Sequence, residues 1–311
     1  MRTIRVWLPE ADWVAAMGGL PDGMTADVWD GGEDLPDSAD EAEFVVLPFG
    51  VPRSRLPVFG KLPRLRVIQL MSAGAENVLG YVPPGVTLCT ARGAHDPAVA
   101  EWIMAVILGQ VRQLPRFIAA QQAGTWAPAV SEPLAGRTAL IVGYGSIGEA
   151  TERLLVPFGV TVERVARHAR RVDQRVVAGV DDLPALLPGA DIVILLVPVT
   201  PDTTGLVDAR FLGLMRDHAL LVNAARGAIV DTAALLAELN SGRLRAALDV
   251  TDPEPLPPGH PLWSAPGLLL TPHVAGLSTD AVPRARDIVK EQLARYAAGE
   301  PLQNVVGPQG Y

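Results

Sequence analysis

The sequence predicts an α/β fold made of two parallel, doubly wound sheets, and three observations carry that expectation. Short apolar runs alternate with helical stretches along the whole chain. A glycine-rich turn closes the apolar run Thr138 to Val142, and a long helical segment separates the strands before it from those after it. Such alternation favours parallel strands joined by crossover helices.

In the first 95 residues, Ile4 to Leu8, Glu43 to Pro48, Arg66 to Met71 and Val86 to Ala91 read as strands of a small sheet. Asp96-Pro97 then opens a helix expected from Ala98 to about Gln122, with Asp96 as its N-cap. A polar, Pro-containing stretch, Gly124 to Gly136, leads into the glycine turn. Beyond it, Thr161 to Ala166, Asp191 to Pro198, Ala219 to Ala224, Arg245 to Val250 and Leu268 to Pro272 read as strands, for a doubly wound sheet of about six. The closing helix, Ala281 to about Ala298, is amphipathic and is expected to pack back on the first sheet.

The turn itself reads Gly143-Tyr144-Gly145-Ser146-Ile147-Gly148. Gly143 permits a tight turn, Gly145 lets backbone approach a pyrophosphate, and Gly148 allows close helix packing, so that phosphates sit on a helix N-terminus. The spacing alone is weak in a chain of 30 glycines, but here a strand precedes it and a helix, Ile147 to Leu155, follows. This is the context of a Rossmann dinucleotide site.

Composition narrows the alternatives. With 311 residues, 49% hydrophobic and 19% charged, the chain can bury about two cores. A net charge of -8 opposes a nucleic-acid surface, which needs clustered cations to replace counterions. The single cysteine, Cys89, excludes an intrachain disulfide and suits a structural role in a reducing compartment. The N-terminal MRTIRVWLPEAD lacks the apolar region of a secretory signal, and no run reaches the 18 apolar residues of a membrane span. A cytoplasmic protein without membrane, nucleic-acid or metal partners is expected.

In an open parallel sheet, ligands bind beyond the carboxyl ends of the strands. Three such ends carry reactive side chains: Asn223-Ala224-Ala225-Arg226-Gly227, Asp249 to Pro255 with Glu254, and Pro272-His273-Val274-Ala275-Gly276. A guanidinium can fork onto a carboxylate and a carbonyl oxygen. An imidazole can pass a proton, and a carboxylate bonded to it orients the ring and stabilises its charged form. For a 2-keto or 2-hydroxy acid, with hydride from a nicotinamide, this set is chemically sufficient. Each residue has a structural alternative: a surface loop charge for Arg226, a solvated turn for Glu254, a satisfied buried ring for His273.

These segments, in this order after the glycine turn, resemble the D-isomer-specific 2-hydroxyacid dehydrogenases, particularly the glyoxylate/hydroxypyruvate reductase type. The resemblance runs from Met71-Ser72-Ala73-Gly74-Ala75-Glu76, through Val99-Ala100-Glu101, to the His273 segment. It implies that Arg226 binds the substrate carboxylate and polarises its carbonyl, that His273 is the acid/base and that Glu254 partners it. It also implies that backbone around Ser72, Ala73 and Gly74 helps hold the carboxylate, that Asp249 contacts the nicotinamide carboxamide and that Pro198 lines the cofactor. Residues 1–97 and 281–311 would form a flavodoxin-like substrate domain and residues 98–280 an inserted NAD(P)-binding Rossmann domain, in a homodimer. His95 stands where similar enzymes usually carry asparagine, with a substrate, cofactor or structural role all open.

Cofactor choice turns on the end of the strand Thr161 to Ala166. An acid there would bind the ribose hydroxyls of NAD. Glu163 has the right count but falls mid-strand, and the resemblance aligns the usual aspartate with Ala166. Arg164, Arg167, Arg170, Arg171 and Arg175 lie in a short interval around it. We therefore expect NADP(H), held by Arg167 with His168 or Arg170, and NAD(H) as the alternative. The expected reaction is reduction of a small 2-keto acid such as glyoxylate or hydroxypyruvate to the D-2-hydroxy acid. Phosphoglycerate dehydrogenase activity and a dinucleotide-sensing corepressor role are the rivals. Pro48, Phe49, Met71, Trp126 and Trp263 are candidates for shaping the pocket.

Overall fold

The structure is a computed structural model that describes residues 3–307. In chain order the first elements are β1 (Ile4–Leu8), α1 (Trp13–Ala16), β2 (Met24–Val28), β3 (Ala42–Leu47), β4 (Val67–Leu70), β5 (Thr87–Cys89), α2 (Asp96–Val111) and α3 (Leu114–Gln122). There follow β6 (Thr138–Val142), α4 (Ser146–Leu155), β7 (Thr161–Val165), β8 (Arg170–Val172), β9 (Arg175–Val177), α5 (Leu183–Leu186) and β10 (Ile192–Leu195). The last are α6 (Ala209–Leu214), β11 (Leu220–Asn223), α7 (Thr232–Asn240), β12 (Arg245–Leu248), β13 (Leu268–Leu270) and α8 (Ala281–Ala298). The chain divides into two compact units, Met1–His95 with Ser278–Tyr311, and Asp96–Leu277.

The first unit holds a parallel sheet in the order β2-β1-β3-β4-β5, the flavodoxin-like arrangement. Central β3 is buried along its whole length, as a strand covered on both faces must be. Val6, Phe44 and Val46 pack on one face with Ala285, Val289 and Leu293 of α8, so the amphipathic closing helix covers the first sheet. Trp7, Val45 and Ile68 pack on the other with Trp29 and Phe59.

The second unit holds a parallel sheet in the order β13-β12-β11-β10-β6-β7. The chain after the β8–β9 hairpin returns alongside β7 through a parallel bridge between Val165 and Ala178, which extends the sheet beyond β7. Apolar side chains fill both faces. Leu140, Val193 and Leu221 pack with Leu212 and Leu235 from α6 and α7, and Ile141, Ile194 and Val222 pack with Ile103, Ile107 and Leu155 from α2 and α4.

Two sequence expectations are corrected, and two features are new. The helix expected from 98 to 122 is two helices that meet at 68°, with Gln113 between them at φ 55°. Pro115 explains the break, since it has no N–H to continue the ladder and its ring would clash with the preceding turn. Buried Gln110 then fastens the end of α2, donating to the carbonyls of Ala246 and Gly267 at 3.1 Å each. Asp96 is not the N-cap but the first residue of α2. Finally, β2 and the β8–β9 hairpin were not foreseen. Among the described residues no single helix is long and apolar enough to cross a membrane.

A candidate active site at the carboxyl edge of the second sheet

The glycine turn follows β6 directly. Gly143 has φ 102°, and a Cβ there would lie 2.5 Å from the Leu196 carbonyl carbon and the Val197 nitrogen, so only glycine fits. A Cβ on Gly148 would come within 3.1 Å of the Tyr144 ring and 3.3 Å of Ile141, the close approach of helix to strand. Gly145 is the N-cap of α4 and supplies no side-chain cap. First-turn amides of a helix lack intrahelical acceptors and carry the positive end of its dipole, so α4 opens as an anion site that fits a pyrophosphate.

Tyr144 does not face that site. Its amide donates to Val165, its carbonyl accepts from Arg170 at 2.6 Å, and its hydroxyl donates to Glu152 at 2.5 Å. All its polar groups are engaged within the protein. Glu152 is buried and also takes Arg164 at 2.7 Å, with Arg175 at 3.7 Å. Burial would raise the Glu152 carboxyl, but hydrogen bonds from Arg164 and Tyr144, with the charges of Arg164 and Arg175, hold it below its ordinary value.

The arginines expected around the ribose therefore divide. Arg164 and Arg175 belong to the Glu152 network, and Arg170 braces the turn through the Tyr144 carbonyl. This corrects the expectation for Arg170, whose guanidinium is committed to backbone. Arg167, His168 and Arg171 are exposed beyond β7. Arg167 pairs at 2.8 Å with Asp202 on the loop after β10. Ala166 is the first residue after the strand, and Glu163 lies within it with an exposed side chain.

Arg226, Glu254 and His273 come from the carboxyl ends of β11, β12 and β13. Asn223, fully buried, shapes the first loop by accepting from the Ala225 amide and donating to the Arg226 carbonyl, both at 3.0 Å. Arg226 itself donates to the Ala225 carbonyl at 2.7 Å. At Gly227 a Cβ would sit 1.9 Å from the Thr251 carbonyl oxygen. The Arg226 loop can thus press against the loop that carries Glu254.

His273 has φ 56°, a left-handed conformation uncommon for a residue with a Cβ. Its Nδ1 lies 2.5 Å from Glu254 Oε1. That bond turns Nε2 away from the carboxylate, as proton exchange with a ligand requires. Asp249 is buried beneath this loop, and its carboxylate accepts from the Thr271 hydroxyl at 2.6 Å, the Val274 amide at 2.9 Å and the Ala275 amide at 2.8 Å. Pro198 receives the Thr203 hydroxyl on its carbonyl at 2.6 Å. Asp202, Asn223, Gly227 and Thr271 were missed; for the last three the signal is position beside the reactive strand ends.

In the first unit, Ser72, Ala73 and Gly74 follow the carboxyl end of β4. Ser72 Oγ donates to the Gly74 carbonyl at 2.8 Å, and the Ser72 carbonyl accepts from the Ala91 amide at 2.8 Å. His95 Nε2 lies 2.9 Å from the Met71 carbonyl, and its ring meets Phe49 edge-on at 5.9 Å. His95 therefore braces the start of this loop. Trp263 is half exposed, with its indole N–H on the Pro257 carbonyl, and Trp126 is 97% exposed. A cavity of about 560 Å³ bordered by Gln113, Arg116, His218 and Arg245 lies at the amino ends of the strands, on the opposite edge from this chemistry. Among the described residues no three His, Cys, Asp or Glu side chains are grouped to hold a metal ion.

The model of the D-isomer specific 2-hydroxyacid dehydrogenase NAD binding domain matches residues 104–275. The chain belongs to the D-isomer specific 2-hydroxyacid dehydrogenase family. It is thus an oxidoreductase built to bind a nicotinamide dinucleotide. Glyoxylate/hydroxypyruvate reductase A of Yersinia enterocolitica is 32% identical over 79% of this chain and 82% of its own. D-3-phosphoglycerate dehydrogenase of Methanocaldococcus jannaschii is 31% identical over 88% of this chain, which spans only 53% of that longer protein. Among solved dehydrogenases of this family, one from Xanthobacter autotrophicus in complex with NADPH and MES superposes with a TM-score of 0.84, 28% identity and 99% coverage of both chains. An NADPH-dependent glyoxylate/hydroxypyruvate reductase from Sinorhizobium meliloti, in complex with NADP and sulfate, also gives a TM-score of 0.84, with 27% identity and 100% coverage of both.

Proposed function

We propose that the protein reduces a small 2-keto acid of the glyoxylate or hydroxypyruvate type to the D-2-hydroxy acid with NADPH. The observation that carries this reading is the His273–Glu254 pair at 2.5 Å on the same sheet edge as Arg226 and the glycine turn. Residues 98–280 serve as the cofactor domain in this reading, and residues 1–97 with 281–311 as the substrate domain.

The bound nicotinamide supplies the hydride. The backbone of Gly145, Ser146, Ile147 and Gly148 holds the pyrophosphate on α4, Pro198 lines the cofactor, and Arg167 with His168 meets the 2′-phosphate. Arg226 forks onto the substrate carboxylate and carbonyl oxygen, drawing electron density from the carbon to be reduced. His273 Nε2 gives its proton to the carbonyl oxygen, while Glu254 at Nδ1 fixes the tautomer and stabilises the charged ring. The backbone of Ser72, Ala73 and Gly74 contributes donors to the carboxylate. Asp249 has its carboxylate engaged by three donors in the His273 loop, so we give it a positioning role there beside the expected carboxamide contact.

Preference for NADP(H) over NAD(H) is supported by Ala166 directly after β7, a position with no carboxylate to repel the 2′-phosphate, and by exposed Arg167 beside it. The Sinorhizobium meliloti reductase, which is named as NADPH-dependent, lends the same reading support. We further propose a cytoplasmic homodimer, on the support of the single, buried Cys89 and of Trp126 and Val130, 97% and 95% exposed between α3 and β6.

Steady-state kinetics test the reading directly. The keto acids glyoxylate, hydroxypyruvate and pyruvate should turn over with a clear preference for NADPH in kcat/KM, and His273→Ala should cost about 10²–10⁴-fold in kcat. Full turnover by His273→Ala would remove the proton-transfer assignment. Preference for NADH would remove the cofactor assignment, and turnover of 3-phosphohydroxypyruvate alone would favour the phosphoglycerate relatives. Arg226→Gln should impair binding and chemistry together.

A further inference from the structure

Arg167 and Asp202 are 35 residues apart in sequence, yet Arg167 Nη2 donates to Asp202 Oδ2 at 2.8 Å. The topology makes this contact informative. β7 and β10 are the two neighbours of β6, and the chain at the end of each forms one wall of the glycine turn. On one side the Val165 carbonyl accepts the amides of Gly143 and Tyr144 at 2.9 Å each. On the other, the Leu196–Val197 backbone occupies the place where a Gly143 Cβ would be. Arg167 extends the first wall and Asp202 the second. Asp202 lies in a turn closed by Thr203, whose hydroxyl donates to the Pro198 carbonyl and accepts from the Thr200 amide at 2.8 Å. The ion pair thus ties the two walls of the dinucleotide turn together.

Three other guanidiniums of this region are held by stronger or more buried partners. Arg164 and Arg175 are bound to Glu152, and Arg170 to the Tyr144 carbonyl. Of these four, Arg167 alone is held by a surface carboxylate, with both partners more than half exposed. Such pairs contribute little and exchange readily. A phosphate with nearly two charges and three acceptor oxygens is a better partner for a guanidinium than a single carboxylate.

We propose that Asp202 is a cofactor-selectivity residue: it holds Arg167 across the turn and yields it to the 2′-phosphate when NADP(H) binds. The inference rests on the NADP(H) reading given above. Asp202 competes with the 2′-phosphate for Arg167 and adds a like charge beside it. NADH has no group at that position and does not enter the competition. The residue therefore weakens NADPH binding selectively and keeps the bound cofactor exchangeable.

Fluorescence titration of the full-length protein with NADPH and NADH tests this in wild type, Asp202→Asn, Arg167→Gln and the double variant. Asp202→Asn should tighten NADPH about two- to fivefold, the scale of an exposed ion pair, and leave NADH unchanged. In the Arg167→Gln background the same substitution should do nothing to NADPH. If wild type prefers NADPH and Arg167→Gln loses that preference, but Asp202→Asn has no effect or tightens both cofactors alike, the inference fails alone. If wild type prefers NADH, the cofactor reading fails and takes the inference with it.

Discussion

Asp249 brackets His273: its backbone carbonyl accepts the His273 amide at 2.7 Å, while its buried carboxylate takes the amides of Val274 and Ala275, the next two residues. The histidine is fixed on both sides of its left-handed backbone by the residue that follows the neighbouring strand β12. Position and ring orientation thus have separate sources, Asp249 for the backbone and Glu254 for the imidazole.

Replacing the bracket should loosen the loop more than the cofactor site. An Asp249→Asn side chain has one acceptor oxygen where three donors converge, which leaves at least one buried amide unsatisfied. The expected loss is about 1.5–3 kcal/mol of stability, the scale of hydrogen bonds to a charged group, with a fall in kcat. Thermal denaturation beside steady-state assays checks this; unchanged kcat would show that His273 holds its place without Asp249.

Gly227 should tolerate nothing larger. The 1.9 Å approach of a Cβ to the Thr251 carbonyl can be relieved only by moving backbone, and that backbone leads to Glu254. Gly227→Ala should cost at least about 1–3 kcal/mol, as overpacking does, and should depress kcat even with added substrate. A crystal structure of the variant should show the Thr251–Glu254 loop displaced.

The Glu152 network makes a pH-dependent contribution. Folding lowers this carboxyl below its ordinary value of 4.5, despite the opposing effect of burial. The ionised form accordingly stabilises the fold above that value, and the contribution is lost as pH falls through the lower, folded value. Glu152→Gln should be less stable by about 1.5–3 kcal/mol at pH 7, with the gap to wild type closing under acid. Urea denaturation at pH 7 and pH 4 measures it; a constant gap would show that charge is not the cause.

Cys89 should be inert. Burial pushes its thiol up to about 11, with a small opposing effect from Gln292, so little thiolate exists at neutral pH. A thiol-reactive chromogen should find no group in the native protein and one after unfolding; rapid reaction in the native state would mean that β5 opens readily.

Much of this was legible in the sequence because the signals were local. An apolar run followed by glycines, and polar groups at strand ends, mark β6, β11, β12 and β13 without tertiary information. The strand β2, Met24-Thr25-Ala26-Asp27-Val28, alternates apolar and polar residues as an edge strand does, and so carries no continuous apolar run like those that mark the central strands. The β8–β9 hairpin was hidden by Arg170, Arg171 and Arg175, which read as a basic cluster until Glu152 and Tyr144 claimed two of them. Pro115 did carry the signal for the helix break, but the apolar spacing across it outweighed it. The role of Asp249 was the least visible, since three of its partners lie more than 20 residues away and only pairing of β12 with β13 brings them near.

The burial of the one cysteine also makes the molecule a blank canvas for chemical labelling. A thiol introduced as Trp126→Cys would be the only accessible one, so a fluorophore could be attached there without first removing any native residue. Its emission, read as protein concentration is raised, would report self-association from the very segment in question, and the same background would accept a spin label at any other surface position.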